Sequence, residues 1–111
     1  MPIRSSRFIM SDDKYAVVVD NYLKPIFDSF LKNRFKQVER MRVLLASSEC
    51  NEIAKEAHEM KGTCGGYEVV YLEELGKKIE TSAKNSNLIE LKLLIESYDV
   101  YLKKINVQFK S

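Results

Sequence analysis

Leu91, Ile95, Tyr98, Leu102, Ile105 and Phe109 recur at steps of four and three through the last part of the chain. Only a helix, turning about 100° per residue, gathers such positions on one side. A single amphipathic helix is marginal in water, so a stripe of this kind needs other helices to cover it. The chain supplies three more: Phe27, Leu31, Val38, Met41 and Leu45; then Cys50, Ile53, Ala57, Met60 and Cys64; then Leu72, Leu75, Ile79 and Ala83. They are separated by Ser47-Ser48, Gly65-Gly66 and Asn85-Ser86-Asn87, residues that favour turns and caps. Loops of a few residues force neighbours to run in opposite directions. The expected fold is therefore all-α, an antiparallel up-and-down four-helix bundle, and 111 residues suffice for one such domain.

Boundaries follow from the capping chemistry. Asp20 is the expected N-cap of the first long helix, with Pro25 tolerated near its start, and that helix should run to about Ala46. Ser47 and Ser48 offer an N-cap to the second, Gly65 and Gly66 end it, and the fourth should reach nearly to the C-terminus. Residues 1–10 carry a proline and two serines without helical period and read as a loose extension before a domain over 11–111. Met10, before Ser11-Asp12-Asp13, is a conceivable alternative start, while a start at Met1 favours a free-standing protein. Tyr15-Ala16-Val17-Val18-Val19 is β-branched, but a lone strand has nothing to pair with. It is expected to be an extended or short helical lead-in packed on the end of the bundle.

Several function classes drop out. The formal charge of +2 comes from interspersed acidic and basic residues, which points to no nucleic-acid partner. No apolar run approaches a membrane span or a secretory signal, and both cysteines, on the core stripe of one helix, suit buried thiols in a reducing compartment. A cytoplasmic protein without a membrane contact is the expectation. There is no phosphate-cradling glycine loop and no kinase signature, hence no visible machinery for ATP. A metal site is not expected, because Cys50 and Cys64 point about 80° or more away from the sole histidine on the same helix. The same geometry argues against a Cys/His nucleophilic pair.

What remains is His58. It lies off the buried stripe, on a face with the small residues Ala54, Gly62 and Gly65 and with Lys55 and Lys61 three residues to either side. A neutral imidazole has one ring nitrogen with a free lone pair and can act as a nucleophile near neutral pH. Phosphoryl transfer suits such a group, since it asks mainly for positioning and charge stabilisation. Lys61 could neutralise phosphate oxygens, and Gly62 would let a partner's backbone approach. Glu52, Glu56 and Glu59 fall on another side of the helix. A solvent-facing histidine with no role beyond the surface fits the same spacing, and the residues alone leave both readings open.

The run Ala57-His58-Glu59-Met60-Lys61-Gly62, followed by Gly65, Tyr67 and Leu72-Glu73-Glu74-Leu75-Gly76-Lys77-Lys78-Ile79-Glu80, resembles the histidine-containing phosphotransfer (HPt) family. The resemblance extends from about Val19 to the end and includes Phe30-Leu31-Lys32-Asn33-Arg34 in the first long helix. It implies a helical bundle whose exposed histidine accepts a phosphoryl group from a receiver-domain aspartate and passes it to another receiver, a phosphoryl carrier rather than an enzyme with kinase activity. By position, His58 would be phosphorylated, Lys61 would be its phosphate-stabilising partner, and Ala54, Lys55, Gly62 and Gly65 would form the receiver-docking surface. Glu80 matches the place of a residue that orients the imidazole, although a solvated helix residue fits that place equally. The expected partners are response-regulator receiver domains and a hybrid histidine kinase, with Mg²⁺ supplied by the receiver and no cofactor in this chain. The chain departs from the pattern at Glu68, where many members carry glycine, which affects the turn and receiver recognition. A monomer is expected, with dimerisation through the fourth helix as the structural alternative. The functional alternative is an interaction module that sequesters a receiver or kinase without carrying phosphate.

Overall fold

Each of the four apolar stripes forms the inward face of a helix, the fourth only as far as Leu102. The computed structural model describes residues 15–110, so the extension assigned to residues 1–10 lies outside the described residues. In order, the elements are strand β1 (Tyr15–Asp20), a short 3-10 turn (Asn21–Leu23), α1 (Lys24–Ala46), α2 (Cys50–Gly66), α3 (Val70–Lys84), α4 (Leu88–Lys104) and strand β2 (Ile105–Lys110). Phe27, Val38 and Met41 of α1, Ile53, Ala57, Met60 and Cys64 of α2, Leu72 and Ile79 of α3, and Leu91, Ile95 and Tyr98 of α4 meet in one core.

Cross-helix contacts establish the direction of every neighbour. Gln37 Nε2 of α1 donates to the backbone oxygen of Glu56 at 3.2 Å, while Phe30, earlier in α1, stacks on Tyr67 beyond the end of α2 at 4.3 Å. His58 of α2 meets Glu80 of α3, whereas Gly65, later in α2, lies against Glu73, earlier in α3. Ser82 of α3 donates to Glu90 of α4, and Tyr71 packs on Tyr101 with ring centroids 4.5 Å apart. Arg42, late in α1, bonds Glu96 and Asp99 of α4, while Phe27, early in α1, meets Phe109 after α4. Each pair is antiparallel and α4 closes on α1, which is the up-and-down ring expected from the stripes.

The chain's two ends differ from expectation. Tyr15–Asp20 does have a partner: it pairs in parallel with Ile105–Lys110, in a register from Tyr15 opposite Ile105 to Asp20 opposite Lys110. The fourth helix accordingly stops at Lys104, and Ile105 is extended with ψ 134°. Ile105 and Phe109 are four apart, a spacing that serves a helix and a period-2 strand alike, so the stripe concealed the change. Val107 between them, alternating with exposed Asn106 and Gln108, is the strand signal. The small sheet packs on the bundle end where α1 begins. Val19 is wholly buried, and Phe109 meets Phe27 at 5.7 Å.

Capping also differs in detail. Asp20 caps the 3-10 turn, its Oδ1 accepting from the Tyr22 N–H, and α1 begins only at Lys24 with Pro25 in its first turn. Ser47 and Ser48 do not cap α2; Glu49 occupies that place without a side-chain cap bond. The serines instead belong to a turn used three times. At each helix-to-helix junction one residue adopts positive φ: Ser48 (55°), Glu68 (64°) and Ser86 (53°). The next residue's N–H reaches five residues back, Glu49 to Leu44, Val69 to Cys64 and Asn87 to Ser82, while the positive-φ residue itself reaches three back. This is the Schellman termination, which satisfies the last carbonyls of the helix. Gly65 and Gly66 thus close α2 from inside its last turn, and the left-handed residue is Glu68.

The core holds one unusual cation. Arg34 is buried with its guanidinium 5.2 Å from the Phe30 ring, and among the described residues its Nε and Nη1 have no hydrogen-bond partner. Cys64 is a buried free thiol 3.5 Å from the Tyr98 hydroxyl, and burial pushes both groups above their ordinary pKa values.

Candidate functional site

The site is built beside a close contact between the backbones of α2 and α3. A Cβ added to Gly76 would stand 2.9 Å from Lys61 Cβ and 3.1 Å from Lys61 Cα, so the backbones meet at a distance that only glycine permits. Since the helices are antiparallel, the next turn of α3 lies beside the preceding turn of α2. That places Glu80, four residues after Gly76, next to His58, three residues before Lys61.

The three expected chemical residues are together. Glu80 Oε2 is 3.1 Å from His58 Nδ1, and Glu80 Oε1 is 2.7 Å from Lys61 Nζ. The imidazole is 69% exposed while the Glu80 side chain is only 9% exposed, so the carboxylate is a fixed feature beneath a ring that faces outward. Lys84, one turn beyond Glu80 on α3, adds a second ammonium 3.2 Å from Oε2. Lys61 is the largest influence on the carboxyl group; burial opposes it, Lys84 and His58 add to it, and the net result holds Glu80 down to about 2. Glu80 is therefore an anion throughout the range in which most proteins work. An anionic carboxylate can only accept, so the proton on the ring belongs on Nδ1 and the lone pair on Nε2.

The expected surface residues are divided among different jobs. Gly62 is exposed and a Cβ there would meet nothing within 4 Å, so nothing inside the chain demands its small size. Gly65 is half-buried, and a Cβ there would lie 3.1 Å from Glu73 Oε2, the end of a flexible side chain that can give way. Ala54 is half-buried against the core. Lys55 is exposed and paired with Glu52 at 3.3 Å. Of the acidic residues on α2, Glu56 turns to α1, where it takes Arg40 at 3.3 Å and Gln37 Nε2 at 2.9 Å.

Sequence reasoning missed Gly76 and Lys84. Gly76 carried no local signal, because its need arises from a neighbouring helix. Lys84 stands four residues after Glu80 on one helix, the spacing of an intrahelical ion pair, and was open to recognition. Among the described residues no group of three or more His, Cys, Asp or Glu could hold a metal ion, and no helix is long and apolar enough to cross a membrane. Compared with known proteins, the chain matches no family model, no curated protein and no solved structure.

Proposed function

We propose that this chain is a histidine phosphocarrier of the HPt type, accepting a phosphoryl group on Nε2 of His58 from a receiver-domain aspartyl phosphate and returning it to another receiver. The observation that supports this reading best is the exposed imidazole held at Nδ1 by a buried carboxylate that its partners keep ionised near neutral pH. In the transfer, the Nε2 lone pair forms a bond to phosphorus while the bond from phosphorus to the aspartate oxygen breaks, and the aspartate leaves as a carboxylate. The Nδ1 proton stays on the ring, which gains one positive charge beside Glu80. Total charge is conserved, and the developing cation forms next to an anion already in place.

Lys61 lies one turn from His58 and stands ready to face phosphoryl oxygens once it leaves Glu80. Gly62 leaves the surface beside the ring open to a partner's backbone. The receiver would contribute the aspartate and its Mg²⁺. Incubation with a phosphorylated receiver should put acid-labile, alkali-stable label on the wild-type chain and none on His58→Gln, with both variants equally folded. Label retained by His58→Gln would refute the site. No label from any of several receivers would favour a module that binds receivers or kinases without carrying phosphate.

A further inference from the structure

Glu80 has more cationic partners than orienting an imidazole requires. Oε1 takes Lys61, while Oε2 takes both His58 Nδ1 and Lys84. The two lysines come from different helices, Lys61 from α2 and Lys84 from α3. Two further lysines of these helices are engaged elsewhere, Lys77 with Glu74 and Lys55 with Glu52. Lys61 Nζ already lies 2.7 Å from Glu80 Oε1, so a phosphoryl group on Nε2 would compete with Glu80 for it. If Lys61 were the sole lysine on Glu80, its departure would leave a buried carboxylate beside a still neutral ring while a dianionic group approaches, until the bond to phosphorus gives the ring its charge. That is the arrangement in which a carboxylate moves or takes up a proton.

We propose that Lys84 is a positioning residue that holds Glu80, and through it the Nδ1–H tautomer of His58, when Lys61 turns to the incoming phosphoryl group. The inference rests on the phosphocarrier reading for its purpose, though not for its geometry. Lys84 is 66% exposed and needs no rearrangement of the core to keep its bond, because it sits on the same helix as Glu80, one turn away. Its grip is therefore independent of what happens on α2. Lys61 is freed to move because the charge it leaves behind remains paired.

Lys61→Met mimics the departure of Lys61 without any phosphate. The ring tautomer of His58, read from two-bond ¹H–¹⁵N correlations at pH 8, should stay Nδ1–H in wild type, in Lys61→Met and in Lys84→Met, and should become a mixture only in the double variant. Lys84→Arg combined with Lys61→Met should restore the Nδ1–H form. Loss of the preference in Lys61→Met alone, or its survival in the double variant, would overturn the proposal, and circular dichroism melts would confirm that all variants are folded. Acceptance of phosphate from a phosphorylated receiver should in addition be about tenfold slower in Lys84→Met, as expected for a lost charge-assisted hydrogen bond, and recover in Lys84→Arg. Failure of wild type to accept phosphate would defeat the phosphocarrier reading, while the tautomer measurements would still decide the role of Lys84.

Discussion

Glu68 carries two opposing effects in one residue. Its φ of 64° places it in the left-handed region, where a side chain costs about 1–2 kcal/mol relative to glycine. In return its Oε1 accepts from the Asp20 N–H at 2.9 Å, tying the junction of α2 and α3 to the end of β1. Glu68→Ala keeps the strained backbone and loses the bond, so urea denaturation should show a loss of about 1 kcal/mol. Glu68→Gly loses the bond but also the strain, and should be more stable than Glu68→Ala by about 1 kcal/mol. Equal stability of the two variants would mean that the turn tolerates a side chain without cost. At this scale the sequence was informative about identity and silent about direction. The exposed His58, the small Gly62 and the carboxylate at Glu80 follow from spacing and resemblance. The bond from Asp20 to Glu68 does not, since nothing local links residues 48 positions apart.

The α2–α3 seam shows how an element's position depends on single residues in its neighbour. Gly76 and Gly62 are both helical glycines, and on propensity alone each would gain up to about 1 kcal/mol as alanine. The surroundings reverse the sign at one of them. At position 76 the new Cβ meets the Lys61 backbone, which cannot move aside as a flexible side-chain end could, and overpacking of this kind costs about 1–3 kcal/mol. Gly76→Ala should therefore be less stable than wild type, and Gly62→Ala, with open space around it, more stable. Paired urea titrations test the contrast; a stabilised Gly76→Ala would show that the two helices can separate at that point without loss. The helices themselves were legible because each keeps a 3.6-residue stripe over many turns. The paired strands were not, because β1 reads as an orphan until β2 is found at the other end of the chain, and two of β2's inward residues also satisfy a helical spacing. The alternation around Val107 is a strand signal, but which distant segment pairs with it leaves no trace in either segment alone.

Across the whole molecule, carboxylates bridge all four helix seams; Glu90 of α4 takes the Ser82 hydroxyl of α3, and at the other three the carboxylate is ion-paired. Glu56 joins α2 to α1 through Gln37 and Arg40, Glu80 joins α3 to α2 through Lys61 and His58, and Asp99 of α4 receives Arg42 of α1 along with its neighbour Lys103. Burial raises the pKa of each, but the bonds prevail and all three lie below their ordinary values, Glu80 falling from 4.5 to about 2. A carboxyl group with a lowered folded-state pKa binds protons more readily when the chain is unfolded. Its contribution is complete above the unfolded value and disappears as pH falls toward the folded one, for Glu80 between 4.5 and about 2. Stability in urea should thus be nearly level from pH 7 to 5 and decline steeply below pH 4.5, with the seams weakening together because the helices form one closed ring. Glu80→Gln cannot lose a proton-linked contribution it does not have, so its stability should be lower at pH 7 and fall less between pH 5 and 3. A parallel decline in wild type and variant would mean that Glu80 is held no differently in the folded and unfolded chains, and would remove the grip of Lys61 and Lys84 that fixes the carboxylate beneath His58.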